Sequence, residues 1–148
     1  MKEGRINKKA KSKKTITLPK LKAKLQEVFN EYIRLRDKDE LCISCGKRTY
    51  KADGELVPLQ AGHFYARSGY DGLRFDEENV NGECMGCNYY DESHLIGYGE
   101  NLIKKIGQER YDALKQRAAE YKKNGYKWSR AELFEKIEYY KAKVKEMS

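Results

Sequence analysis

From Leu18 onward, apolar positions recur at helical spacing: Leu21, Leu25, Val28, Phe29, Tyr32 and Leu35 fall three or four residues apart. Spacing of that kind puts one apolar stripe on a helix of about 17 residues. Thr17 is the candidate N-cap, Pro19 suits the first turn, and Asp37-Lys38-Asp39-Glu40 ends the pattern, so an N-terminal helix is predicted over 17–37. Three more apolar faces follow towards the C-terminus. Leu102, Ile103 and Ile106 form one that closes at Gly107, and Tyr111, Leu114 and Ala118 form another that closes at Asn124-Gly125. The last opens on Ser129-Arg130-Ala131-Glu132, a capping box whose hydroxyl and carboxylate satisfy free amides at a helix start. Leu133, Ile137, Tyr140, Val144 and Met147 then repeat at 4-3-4-3 spacing. That stripe is predicted to pack against the body, with a partner helix or a dimer seam as the alternative.

The middle of the chain lacks this period. Residues 47–83 read as irregular and strand-like, with a turn at Lys51-Ala52-Asp53-Gly54, a short edge strand at Leu56-Val57-Pro58-Leu59-Gln60 and a second turn near Gly69, Asp71 and Gly72. Helical sequence resumes at Cys87, with a break predicted around Gly97 and Gly99. At 148 residues the chain fits one domain. Hydrophobic residues make up 39% and charged residues 36%, so the core is modest and a metal is expected to add stability. No apolar run approaches the ~18 residues of a membrane span, and the N-terminus lacks a signal-peptide pattern. The expected location is therefore a reducing cytoplasm, where cysteines bind metal more often than they form disulfides.

Charge is unevenly placed. Residues 1–24 hold ten Lys and Arg against the single acid Glu3, which accounts for the whole of the net +8. Residues 1–16 show no periodicity and read as a disordered basic arm, with Lys8, Lys9, Lys11, Lys13 and Lys14 as candidate DNA contacts. Such an arm binds polyanions by releasing counterions, or serves only to solubilise.

All four cysteines lie in two C-x-x-C pairs, Cys42-Ile43-Ser44-Cys45 and Cys84-Met85-Gly86-Cys87. Pairs that use every cysteine predict a four-thiolate zinc site, structural because no coordination position stays open. Between and beside them lie the residue types that phosphodiester cleavage needs. His63 can deprotonate water near neutral pH, a divalent ion can stabilise the developing charge, and Arg67 and Arg74 can grip phosphate oxygens. Asp76, Glu77, Glu78, Asn79, Asn81 and Asn88 complete the set. His94 is read as an exposed helix residue, with a part in metal or DNA binding as the alternative, and Tyr89-Tyr90 as packing, with base stacking as the alternative.

The runs Cys42-Ile43-Ser44-Cys45-Gly46, Gln60-Ala61-Gly62-His63-Phe64, Leu73-Arg74-Phe75-Asp76, Asn79-Val80 and Cys84-Met85-Gly86-Cys87-Asn88 agree in order and spacing with a known pattern. They resemble the zinc-containing His-Asn-His (HNH) nucleases and, more closely, the NinG (Rap) family of phage recombination endonucleases. The resemblance implies an α+β fold, in which a zinc-stapled ββα-metal core over 41–96 is flanked by the helix at 17–37 and helices over 97–148. It implies His63 as general base, Asn79 holding the loop and the His63 backbone, and Asn88 ligating a catalytic Mg2+ or Mn2+. Arg74 is assigned to phosphate from its own chemistry. Implied substrates are branched DNA of the Holliday junction or D-loop type, cut during phage recombination in the bacterial host cytoplasm. Two positions depart from the HNH pattern: Gly62 stands where many members carry an acidic metal ligand, and Asn88 replaces the final histidine. Asp76, Glu77, Asp91 and Glu92 are the candidates to supply the missing acid. The weakened ligand set keeps open a non-catalytic zinc module that binds nucleic acid or a recombination protein, and a homodimer stays open as well.

Overall fold

The N-terminal helix forms where the apolar period predicts it, and it anchors everything after it. In the computed structural model, which describes residues 15–90 and 93–148, α1 runs Leu18–Arg36. It is followed by β1 (Gln60–His63), a 3-10 turn (Asp71–Leu73), β2 (Val80–Glu83), α2 (Met85–Tyr90), α3 (His94–Ile106), α4 (Gln108–Asn124) and α5 (Arg130–Met147). The mixed helix-and-sheet class is α+β. Lys8, Lys9, Lys11, Lys13, Lys14, Asp91 and Glu92 lie outside the described residues. Ile16, assigned to the arm from sequence, instead packs half-buried against the first apolar core.

Thr17 caps α1 by accepting from the Lys20 amide at 3.4 Å, and Pro19 costs nothing in a first turn whose amides have no helical partner. The buried stripe is Leu21, Leu25, Phe29 and Ile33, not one that ends at Leu35. Leu35 sits a heptad after Val28 and shares its half-buried shoulder, whereas successive steps of four keep Ile33 under the core. Burying each such side chain contributes roughly 1.5–3 kcal/mol. They meet Leu133, Ile137 and Tyr140 of α5, with Phe75 and Val80 between. The α5 stripe is thus covered by α1 of the same chain, starting from a Ser129 hydroxyl that accepts from the Glu132 amide at 3.2 Å. A second core gathers Ile43, Leu73, Tyr98 and Leu102 against Leu114 and Ala118 of α4.

Strands β1 and β2 pair antiparallel, Gln60 with Glu83 through His63 with Val80. Alternation gives the two faces different company. Ala61 and Val80 face α1. Gly62, Asn81 and Glu83 face α3, where the buried Tyr98 hydroxyl donates to the Gly62 carbonyl at 2.7 Å and accepts from Asn81 at 3.2 Å. The end of α1 is pinned to the sheet by buried Asp37, which accepts from Arg36 and from the Gly82 amide and pairs with Lys105 at 3.0 Å. Burial pushes the Asp37 carboxyl up, but these partners outweigh it and hold it below its ordinary value.

Helix α3 runs unbroken through Gly97 and Gly99, contrary to the predicted break. A Cβ at Gly97 would lie 2.1 Å from the Ser44 carbonyl oxygen, so this glycine admits the cysteine knuckle against the helix and does not end it.

Candidate metal centre and adjoining groove

The four sulfur atoms come together. Cys42 and Cys45 sit on a tight knuckle closed by Gly46, whose φ of 70° suits glycine and whose amide donates to the Cys42 carbonyl at 2.8 Å. Cys84 follows β2 directly, and Cys87 lies in the first turn of α2. All four Sγ atoms are within 4.8 Å of one another, and Cys45 and Cys84 are 3.9 Å apart. Tetrahedral zinc with bonds of about 2.3 Å has S–S edges of about 3.8 Å, so the cluster could hold a zinc ion. Backbone amides of Cys84 and Cys45 point at the Cys42 sulfur, at 3.2 and 3.5 Å. Burial raises the Cys42 thiol, yet those amides bring it below its ordinary value. Burial and the neighbouring sulfurs push Cys87 well up. One thiolate therefore discourages the next, a repulsion that a divalent cation relieves. Among the described residues no second group of three His, Cys, Asp or Glu side chains lies close enough to share an ion.

His63 ends β1 on the side of the sheet that faces α1. Its Nε2 lies 3.0 Å from the Arg74 carbonyl oxygen. A carbonyl can only accept, so Nε2 carries the hydrogen and the neutral ring bears its lone pair at Nδ1. Burial, helped by the charges of Arg67 and Arg74, lowers the imidazole pKa to about 4 despite that hydrogen bond. The ring is therefore neutral at pH 7, well beyond what its ordinary value near 6.5 would give.

Asn79, next to the residue paired with His63, is wholly buried. Its Oδ1 accepts from the Tyr65 amide at 2.8 Å, and its Nδ2 donates to the Tyr65 and Leu73 carbonyls at 3.1 and 3.0 Å. Its own carbonyl accepts from the Phe64 amide at 2.9 Å. One side chain thus holds both ends of the loop that carries Arg67 and fixes the chain as it leaves His63.

The charged residues nearby are mostly committed elsewhere. Arg74 donates to Gln26 at 2.9 Å and pairs with Asp71 at 3.1 Å, so its carbonyl orients His63 while its guanidinium is engaged. Asp76 and Glu78 pair with Arg117 of α4, and Glu77 accepts from Tyr32 and Tyr140 at 2.9 and 2.8 Å. Neither Asp76 nor Glu77 turns toward Asn88. Arg67 is exposed on its loop.

Asn88 does not touch His63. Its Nδ2 donates to Gln60 Oε1 at 3.2 Å, three residues earlier on the same strand. Both amides line a groove of about 480 Å3 together with Ala61, Asn30, Arg34, Met85 and Tyr89. Ala61 shares the His63 face of β1 and Gln60 the opposite one, so the groove lies at the start of the strand, between α1 and α2. Asn30 accepts from Gln26 at 2.8 Å, and Gln26 in turn accepts from Arg74, which joins the groove to His63 by a chain of hydrogen bonds.

Sequence reasoning missed three residues here. Arg34 and Asn30 lie on α1 off its apolar stripe, and no motif singles them out. Glu83, which directly precedes Cys84 and belongs to none of the motif runs, is fully buried. One carboxylate oxygen meets His94 Nδ1 at 2.5 Å and the Ser44 hydroxyl, while Oε1 has no partner. His94, expected to be exposed, is held half-buried by that contact. A Cβ at Gly62 would lie 2.2 Å from Glu83 Oε1. The space that an acid at position 62 would enter is thus filled by a carboxylate from the neighbouring strand, on the sheet face away from His63.

Against known proteins, the family model described as bacteriophage lambda NinG protein matches residues 1–148. Protein ninG of Escherichia phage 933W is 36% identical over 104 residues, covering 70% of this chain and 46% of that protein. Protein ninG of Escherichia phage lambda is 35% identical over 104 residues with the same coverage, and that of Salmonella phage P22 is 38% identical over 82 residues, covering 55% and 37%. The chain spans about half the length of the curated relatives it matches. No solved structure matches.

Proposed function

Because the chain belongs to the family of the bacteriophage lambda NinG protein, we propose that it is a metal-dependent, structure-specific DNA endonuclease acting on branched recombination intermediates, in the cytoplasm of a phage-infected bacterium. The observation that carries this reading is the placement of His63: a half-buried imidazole at the end of β1, with its Nε2 hydrogen committed to the Arg74 carbonyl and its lone pair at Nδ1. A base held in one tautomer can accept a proton from water without first losing one of its own. Asn79 and the Arg74 carbonyl position that ring. Exposed Arg34 and Arg67 supply cations for phosphate oxygens. The order β1, β2, α2 with cysteines at both ends of the unit is what a zinc-stapled ββα core requires.

The second ion would be held by few protein atoms. Asn88 Oδ1 and Gln60 Oε1 are neutral oxygens, which suit Mg2+ or Mn2+ that keeps several waters and takes its remaining contact from DNA phosphate. When bound, such an ion would neutralise charge on the scissile phosphate and stabilise the leaving oxygen.

A non-catalytic zinc module that holds DNA is the second reading, favoured by the absence of a second cluster of anionic donors among the described residues. A labelled four-way junction incubated with Mg2+ or Mn2+ separates the two. The wild-type chain is expected to nick it, and His63→Ala to lose about 10²–10⁴-fold in rate while still binding. If neither protein cuts and both bind equally, the enzyme reading is wrong and the module reading stands.

A further inference from the structure

Helix α2 carries two side chains that the zinc site and the His63 machinery leave unexplained. Tyr89 is 65% exposed and Met85 48% exposed, although both line the groove that holds Asn88. Neither belongs to any of the three apolar clusters, so they do not serve the core. The remaining walls of the groove are of a different chemistry. Arg34 brings an exposed cation from α1, and Asn30, Gln60 and Asn88 bring amides that both donate and accept. A flat aromatic ring, a polarizable thioether, amides with both hydrogen-bonding senses and one cation make a nucleotide receptor: a face for the base, edges for its polar atoms and a charge for its phosphate. At about 480 Å3 the groove has room for one nucleotide.

We infer that the α2 groove takes an unpaired DNA base, stacked on Tyr89 and Met85 with Arg34 on its phosphate, and that this selects branched over fully paired DNA. The inference rests on DNA being the partner and specifies how a branch point is recognised. In a perfect duplex every base is held in its stack, and extracting one costs a few kcal/mol. At a junction or strand end that cost is smaller, so the groove discriminates without reading sequence. Tyr89 stands one residue from Asn88. A base held there sets the phosphodiester backbone beside the amide pair, so recognition and positioning come from one helix.

The test is equilibrium binding of the full chain, without added Mg2+ or Mn2+ so that nothing is cut. The probes are a four-way junction with 2-aminopurine at the branch point and a fully paired duplex of equal length. Wild type is expected to change the 2-aminopurine emission and to bind the junction more tightly than the duplex. Tyr89→Ala is expected to weaken junction binding roughly 5- to 100-fold, the range that stacking of one base supplies. Tyr89→Phe, which keeps the ring, should stay within about twofold of wild type, and duplex affinity should change no more than that in either variant. Tyr89 is exposed and outside the apolar clusters, so its truncation leaves the core intact, and unchanged circular dichroism of the variants checks this. Equal junction binding by Tyr89→Ala, a Phe variant as weak as the Ala variant, or a parallel fall in duplex affinity each overturns the proposal. Because these readouts need no cleavage, a wild-type chain that never cuts would remove the endonuclease reading and leave the stacking result standing.

Discussion

Asn79→Ala is the perturbation that bears most directly on how the site is held. The side chain is wholly buried and makes three hydrogen bonds, to the Tyr65 amide, the Tyr65 carbonyl and the Leu73 carbonyl. Alanine supplies none of them. The Leu73 carbonyl keeps the Asp76 amide at 3.2 Å and half-buried Tyr65 regains water in part, so each of the three lost bonds contributes about 1 kcal/mol. The sum is about 3 kcal/mol, a large part of the ~5–15 kcal/mol typical of a folded domain. With a urea slope of about 2 kcal/mol per molar, the unfolding midpoint should fall by roughly 1.5 M. Asn79→Asp separates shape from polarity. It keeps an acceptor for the Tyr65 amide but aims a second carboxylate oxygen at two carbonyls, so it should be at least as damaging at pH 7. Amide hydrogen exchange at Tyr65 gives a local readout and should accelerate in the alanine variant. A stability loss under about 1 kcal/mol, or an unchanged Tyr65 exchange rate, would refute the claim that this side chain ties the loop to β2.

Three further outcomes follow from the same geometry. Gly62→Ala drives a Cβ to 2.2 Å from Glu83 Oε1 and 2.8 Å from Glu83 Cβ, and Glu83 is fully buried. Overpacking of this kind should cost at least about 2 kcal/mol, whereas Gly86→Ala, with nothing within 4 Å, should be neutral or slightly stabilising; equal melting temperatures would contradict the close packing. The chain should copurify with one equivalent of zinc by elemental analysis, and a chelator or Cys84→Ser should release it and lower the melting temperature; intact zinc content in Cys84→Ser would exclude a four-thiolate site. His63 sets a pH dependence whose sign is fixed by its lowered pKa. Below pH 6.5 the unfolded chain takes up a proton that the folded chain refuses until about 4, so stability is complete above 6.5 and declines through that window. The decline amounts to about 3 kcal/mol at its acid end and should be largely absent in His63→Asn, as urea melts at pH 5 and pH 7 can show.

What the sequence revealed and what it hid divide along a physical line. Helices α1 and α5 were legible because a buried stripe repeats at the helix period, and the cysteine cluster because its spacing is local. Burial of a polar side chain leaves no such period, since its partners are remote in sequence. Glu83 is buried because Ser44 lies 39 residues before it and His94 11 residues after it. Glycine carries a double meaning that pattern alone does not resolve. Gly46 bends the chain at a positive φ, whereas Gly97 sits inside a helix and makes room for the Ser44 backbone. Gly62 belongs to the second kind, and it held the one sequence signal that pointed to Glu83. Once the hairpin pairs Gln60 with Glu83, residues 62 and 83 fall on one face, two positions apart along the ladder. A glycine there, directly before a candidate base and diagonal to an acid, marks the place where the neighbouring strand's side chain enters. The absent acid at position 62 is therefore a consequence of how the hairpin packs, and the charges that do reach His63 are those of Arg67 and Arg74, from the loop that follows β1.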